Sequence, residues 1–119
     1  MNINERIIQA VTPVVSVCVP GTYTPNVGEE SVTYCTFNYT EMPDDFGDDA
    51  PGAVRYLCQL HLYAPWKTGA GESNNTLALR KALRQNLFDA GFTYPSVEDA
   101  SDSDYQHFTF EFEDCDGEV

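Results

Sequence analysis

The sequence predicts an α+β domain in which a sheet of about four mostly antiparallel strands carries two helices on one face. Residues 73–91 repeat their apolar side chains at steps of three and four, which is the period of a helix that packs along one side. Residues 31–40, 54–63 and 105–113 instead alternate, which is the period of a half-buried strand. The order of elements is helix, strand, strand, strand, helix, strand, and the loop between the two clearest strands permits antiparallel pairing.

The predicted central helix, from Ser73 to Gly91, has recognisable signals at both ends. Side-chain oxygens of Ser73, Asn74 and Asn75 can accept from the free amides of the first turn, and Gly91 follows the last apolar residue as a C′ glycine does. The stripe that we expect to pack on the sheet consists of Leu79, Ala82, Leu83, Leu87 and Ala90.

The other side of this helix carries three of the chain's six cationic residues. Arg80, Lys81 and Arg84 lie off the apolar stripe, and Leu77 and Phe88 project among them. One interpretation is a surface on which an acidic partner docks, including another copy of this chain. The other is that neighbouring loops cover Leu77 and Phe88. On the first interpretation, these five residues form a candidate subunit interface.

Composition limits the classes of partner. The 119 residues are enough for one domain, which we place over residues 1–119. The formal net charge of −13 repels nucleic-acid phosphates and anionic membranes, so we expect no sequence-specific nucleic acid and no membrane among the partners. An acidic surface could still line a passage through which DNA slides, because repulsion removes the electrostatic part of non-specific binding. The sequence has no signal-peptide pattern and no run of about 18 apolar residues, which indicates a protein made in the cytosol.

The first part of the chain predicts a helix and a short strand. Asn2 or Asn4 can cap a helix that Pro13 ends, and residues 14–19 read as a largely buried strand before a loop at residues 22–30. The apolar side of this helix consists of Ile7, Ile8 and Val11.

The alternating strands assign side chains to faces. In the strand at residues 54–63 the core side consists of Val54, Tyr56, Cys58, Leu60 and Leu62. The sheet face away from the helices should carry Arg55, His61, Tyr63 and His107. Residues 92–104 read as a polar connection before the last strand.

Residues 41–53 are too acidic and too rich in proline and glycine to form core, and we predict an exposed, mobile loop. Its aspartates are Asp44, Asp45, Asp48 and Asp49. A calcium site is the alternative, but the segment lacks the ligand spacing of an EF-hand loop. The acidic tail, residues 114–119, is predicted to be frayed.

No pattern in the sequence predicts catalysis, a cofactor or a metal. The four cysteines are far apart, which favours free buried thiols over a zinc site that would use His61 or His107. Those two histidines could be neighbours across the sheet, but no nucleophile or phosphate-binding motif accompanies them. Trp66 is either an exposed interface anchor or a cap on the sheet core. We therefore predict that the chain is not an enzyme.

The ordered features resemble the tail terminator and tail-completion proteins of long-tailed bacteriophages and prophages. The resemblance lies in an N-terminal helix followed by "SVTYCTFNYTEMPDDFGDDAP", "VRYLCQLHLYAP", the helix "NTLALRKALRQNLFDAGF" and "YQHFTFEF", and it covers most of the chain. These are structural patterns, and related phage neck and minor capsid proteins share them.

The resemblance implies a virion assembly protein without a cofactor. Such a protein forms a ring, commonly of six copies, on the end of the tail tube, stops its polymerisation and presents a surface to the head. The implied partners are other copies of the chain, the tail tube protein and the neck or connector proteins, and the implied location is the tail or neck of the virion after synthesis in the bacterial host cytoplasm. A different neck or minor capsid component is the first alternative. A small metal-dependent hydrolase using His61, His107 and the acidic loop is the second.

Within such a ring the two candidate surfaces acquire roles. The cationic helix surface would meet an acidic neighbouring copy, so that replacing Arg80 and Arg84 by glutamate would weaken the ring. The segment with Asp44, Asp45, Asp48 and Asp49 would either line the lumen or become ordered on contact with the tube protein.

Overall fold

Seven elements follow one another in the order α1, β1, β2, β3, α2, β4, β5. The computed structural model describes residues 2–23, 32–43, 54–68 and 70–114, and the side chains of Pro43 and Val54 are outside this description. The bounds are α1 Ile3–Val11, β1 Cys18–Pro20, β2 Tyr34–Pro43, β3 Val54–Ala64, α2 Leu77–Asp89, β4 Ser96–Asp99 and β5 Gln106–Asp114.

Helix α1 begins and ends where the local chemistry requires. The Asn2 side chain accepts a hydrogen bond from the Glu5 amide, which otherwise has no partner in the first turn. Pro13 follows the last turn, consistent with its inability to continue a helix. The buried side consists of Ile3, Ile7, Ala10 and Val11, so that Ile8, predicted on this side, is only partly buried.

Helix α2 is shorter than the predicted segment. Thr76 is the N-cap residue without a capping side chain, and the Asn75 side chain accepts from the Leu77 amide at 2.9 Å. Leu83 and Leu87 are its buried residues, while the rest of the predicted stripe is partly buried. Gly91 has a φ of +100°, which is the left-handed conformation expected of a C′ glycine.

The sheet has five strands in the order β1-β2-β3-β5-β4. Pairs β2–β3, β3–β5 and β4–β5 are antiparallel, and β1 pairs with β2 in parallel, with Cys18 opposite Cys35. The sequence predicted about four strands, because β4 lies in the segment that was taken for a polar connection. Three of its four residues are polar, and Val97 is the partly buried one. The short β1 also begins four residues later than predicted, at Cys18 instead of Val14.

Both helices pack on the same face of the sheet, as predicted. The core joins Ile7, Val11, Leu83 and Leu87 to side chains of the three central strands. The strand contribution consists of Cys35, Phe37, Cys58, Leu60, Leu62, Phe108, Phe110 and Phe112. Cys18, Cys35 and Cys58 are free and buried, as the sequence predicted, and burial raises the pKa of the Cys18 thiol to about 11.

Two predicted boundaries are wrong. Residues 41–43 belong to β2, where Glu41 pairs with Tyr56, so the acidic segment does not begin at residue 41; residues 44–53 lie outside the described residues. Asp114 does not belong to a frayed tail, because it ends β5 with 1% of its surface exposed and forms an ion pair with Arg6. Residues 115–119 also lie outside the description. None of the described helices is both long and apolar enough to cross a membrane.

Candidate assembly surfaces on the two sides of the sheet

Of the five predicted interface residues, Leu77, Lys81 and Phe88 are exposed on the side of α2 that faces away from the core, whereas Arg80 and Arg84 are partly buried at its flank. Leu77, Lys81, Arg84 and Phe88 follow at steps of four, three and four residues, which places them in one line along the helix, with Arg80 beside it. Leu77 is 45% exposed and Phe88 is 51% exposed. The interpretation that neighbouring loops cover these two side chains is therefore wrong. We call these five residues the α2 ridge.

The two arginines of the α2 ridge are held by contacts within the chain. Arg80 Nε donates to Thr76 Oγ1 at 3.3 Å, and its guanidinium carbon lies 4.2 Å from the centre of the Phe108 ring. Arg84 Nε donates to the Pro95 carbonyl at 3.0 Å, and its guanidinium carbon lies 4.6 Å from the centre of the Tyr94 ring.

Lys81 differs from Arg80 and Arg84 in that its side chain is exposed to solvent. It lies between them on α2. The α2 ridge therefore presents an exposed charge at Lys81 and two positioned, partly buried charges beside it. Replacing the arginines would disturb intrachain contacts, so Lys81 is the better residue for a test of docking.

Tyr94 extends the apolar end of the α2 ridge. Its ring lies edge-on to Phe88, with ring centres 5.8 Å apart, and is 51% exposed. The sequence analysis missed this residue because Tyr94 falls in a segment without periodicity. Only Pro95 next to it indicated a turn, and a turn does not say which way its side chains point.

The sheet face opposite the helices contains a concave surface that we call the trough. Its volume is about 610 Å³, and it lies between the β2–β3 pair and the segment that leads into β4. The exposed side chains that line it include Leu57 from β3 and Glu111 from β5. Other residues that line it are Asn38, Thr40, Cys58, Gln59, Thr93, Tyr94, Ser96, Phe112 and Glu113, so Tyr94 lines the trough and also contacts Phe88 of the α2 ridge. Met42, also exposed, follows Thr40 on the same face.

The trough is acidic with an apolar spot. The Glu113 carboxylate lies 3.4 Å from Arg55, so this charge is partly offset, whereas Glu111 is exposed to solvent opposite Ser96 of β4. Leu57 supplies the apolar spot and is 37% exposed. Glu111 and Leu57 were not singled out from the sequence. Alternation along a strand assigns a side chain to a face of the sheet, but it does not show which part of that face is concave.

Stacked aromatic rings cover the other end of the same face. Tyr63 lies parallel to His107 with ring centres 4.3 Å apart, and Tyr34 stacks on Tyr63 at 4.9 Å. Tyr23 adds a tilted ring 5.0 Å from Tyr34, which is buried although it faces away from the helices. Burial raises the pKa of the Tyr34 and Tyr63 hydroxyls. A second, smaller depression of about 350 Å³ lies beside these rings on the same face.

The two histidines are neighbours across the sheet, as the sequence suggested. His61 Nδ1 and His107 Nε2 are 2.9 Å apart, so one ring nitrogen donates its N–H to the other. Burial lowers the pKa of His61, and the charge of His107 lowers it further. Burial also lowers the pKa of His107, against the opposing effect of Asp102 and Asp99. Both shifts favour the neutral form of the imidazole.

In the part of the chain that the structure describes, a hydroxyl group lies beside the histidine pair. Thr109 Oγ1 is the hydroxyl beside it, at 3.5 Å from His61 Nδ1, which is at the limit of a hydrogen bond. In the described part of the chain no group of three or more histidine, cysteine or acidic side chains is arranged to hold a metal ion. Trp66 is exposed and its indole N–H donates to the Asp102 carbonyl at 2.7 Å.

The second candidate site of the sequence analysis is not described. Asp44, Asp45, Asp48 and Asp49 lie outside the described residues, so their predicted role stays a prediction. No protein family and no curated protein matches the sequence. The fold and the two surfaces therefore carry the functional argument.

Proposed function

We propose that the chain is a virion assembly protein of the tail-terminator kind, which forms a ring on the end of a phage tail tube, stops its polymerisation and contributes to head–tail joining. The observation that carries the proposal is the α2 ridge. Leu77 and Phe88 are exposed at its ends, and between them lie the exposed Lys81 and two partly buried arginines, on a chain whose net charge is −13.

The fold supports this proposal through the distribution of its surfaces. The two helices cover one face of the sheet, and the other face offers the acidic trough. A protein with different, complementary surfaces on opposite sides can pair head to tail, which is the type of contact that closes into rings. Six copies is the number that the resemblance to tail terminators implies.

The test is tube growth in the presence of the chain. The tail tube protein of the phage or prophage that encodes the chain under this proposal is polymerised alone or with a stoichiometric excess of the chain, and tube lengths and ends are recorded by electron microscopy. We expect shorter tubes with a ring of extra density at one end. Tubes of unchanged length without extra density would contradict the proposal. Binding to connector particles but not to tubes would instead support a different neck component.

A double replacement on the α2 ridge provides the matched variant. Leu77→Ser with Phe88→Ser removes two exposed apolar side chains and is expected to leave the fold intact, because neither side chain is part of the core. We expect this variant to lose the effect on tube length, while its far-ultraviolet circular dichroism stays that of the wild type.

A further inference from the structure

We propose that the α2 ridge of one copy docks in the trough of a neighbouring copy, with Lys81 beside Glu111 and one apolar end of the ridge on Leu57. This inference rests on the proposed function, because it names the subunit contact by which the ring would form. The occupant of the trough is therefore a second copy of this chain.

Charge is the first argument for a second copy as the occupant. Three of the six cationic residues of the chain lie on the α2 ridge, whereas the chain has nineteen acidic residues. Glu111 projects from β5 into the trough. Glu98 of β4 is exposed on the same face of the sheet, opposite Thr109 of β5. A cationic ridge and an acidic trough attract each other, while two ridges or two troughs repel each other.

The distribution of apolar side chains is the second argument. The α2 ridge has Leu77 at one end and Phe88, with Tyr94, at the other. The trough has Leu57 exposed at its floor, and Met42 is exposed beyond it on the same face. A contact between the two surfaces would bury apolar area next to the Lys81–Glu111 pair, and buried apolar side chains supply much of the binding energy of subunit interfaces.

The position of the two surfaces determines the type of assembly. The α2 ridge is on the helix side of the sheet and the trough is on the opposite side, and the two surfaces meet at Tyr94, which contacts Phe88 and also lines the trough. A copy whose ridge is docked therefore still offers its own trough to a third copy. The contact is heterologous, and repetition of it gives a closed ring or an open filament instead of an isolated dimer.

The test exchanges charges between the two surfaces. Lys81→Glu and Glu111→Lys are made as separate variants, because both side chains are exposed and outside the core. Each variant alone places like charges in every ridge–trough contact, and we expect its self-association to weaken by about tenfold or more in sedimentation velocity. An equimolar mixture of the two variants again has opposite charges in every contact between unlike copies. We expect the mixture to assemble as the wild type does.

Two variants control for the change in net charge. Lys67→Glu and Glu72→Lys carry the same charge changes at exposed positions of the turn before α2, outside the ridge and the trough. We expect each of them to associate as the wild type does. Urea unfolding of all four variants checks that none has lost its fold.

The possible results separate this inference from the proposed function. Recovery in the mixture, with neither control affected, supports the ridge–trough contact. If the wild type forms rings and Lys81→Glu forms them equally well, the contact is wrong while the ring remains. If the mixture fails to recover, the contact is also wrong. A wild type that stays monomeric at every concentration would contradict both this contact and the self-association on which the proposed function depends.

Discussion

Three contacts converge on the guanidinium of Arg6. Its Nη1 pairs with the Asp114 carboxylate, its Nη2 donates to the Ala90 carbonyl at 3.0 Å, and its central carbon lies 4.5 Å from the centre of the Phe92 ring. This one side chain of α1 therefore joins the end of β5 to the end of α2. Asp114 and Arg6 are separated by 108 positions, so no local pattern in the sequence could predict the pair.

Asp114→Asn is expected to destabilise the protein by about 2 kcal/mol, because it leaves a guanidinium without its charged partner. Full loss of one partner of a buried pair costs about 3–5 kcal/mol, and the Arg6 side chain remains 21% exposed, which reduces the effect. The measurement is the free energy of unfolding in urea. Glu113→Gln is the control, since the exposed pair with Arg55 is worth less than about 1 kcal/mol. Equal effects of the two variants would contradict this account.

The histidine pair predicts a pH dependence of stability. The folded-state pKa of His61 and of His107 lies below the unfolded value of 6.5, so the unfolded chain binds these protons more readily. The contribution of the histidine pair to the free energy of unfolding is therefore fully present above pH 6.5. It is lost as the pH falls from 6.5 through the folded-state pKa values. Asp99 and Asp102 face His107 and reduce its shift, while Tyr63 and Thr109 are neutral neighbours. Unfolding in urea at pH 7.5 and pH 5.5, for wild type and His61→Gln/His107→Gln, measures this contribution.

His107→Gln separates the two causes of the shift at His61. Burial is the larger cause and remains in the variant, whereas the repulsion from the second imidazolium is removed. We expect the pKa of His61, measured by NMR titration of the imidazole, to rise towards 6.5 without reaching it. A pKa of His61 that does not rise in the variant would show that the two rings do not interact.

At the scale of elements, the sequence predicted a strand or helix best where its apolar residues recur with a clear period and are also buried. Strand β3 alternates through Cys58, Leu60 and Leu62, and each of these side chains is in the core. Strand β4 was missed because an edge strand of four residues with one partly buried side chain has too few apolar positions to show a period. The parallel pairing of β1 with β2 was also unpredictable, since register and direction depend on long-range contacts.

The concave shape of the trough was likewise unpredictable. Alternation along β3 and β5 assigns Leu57 and Glu111 to the face away from the helices. Alternation cannot show that residues 93–96 form one side of a depression next to these two side chains. The α2 ridge was predictable because its residues share one helix, whereas the trough combines side chains from several strands and a connection.

Gly91→Ala tests the end of α2. The glycine has a φ of +100°, and an added Cβ would lie 3.2 Å from Arg6 Nη2, so the change combines backbone strain with pressure on the Arg6 contacts. We expect a loss of about 1–2 kcal/mol in the free energy of unfolding. Gly21→Ala is the matched control, with a φ of +84° and open space around the added Cβ. A smaller loss for Gly91→Ala than for Gly21→Ala would contradict the expected pressure on Arg6.

At the scale of the whole molecule, opposite sides of one sheet carry complementary surfaces. The helix side presents apolar side chains and cations, and the other side presents an acidic depression with an apolar spot. Under the proposed contact, such a chain would repel nucleic acid overall and attract its own copies at these two surfaces. Self-association should weaken at high salt, because the charges involved are exposed.

Native mass spectrometry of the wild type across a concentration series is the most direct test of the claim that the chain assembles with itself. The account predicts a closed species of about six copies that gains population with concentration and loses it in high salt. A monomer at every concentration and at low salt would contradict the claim.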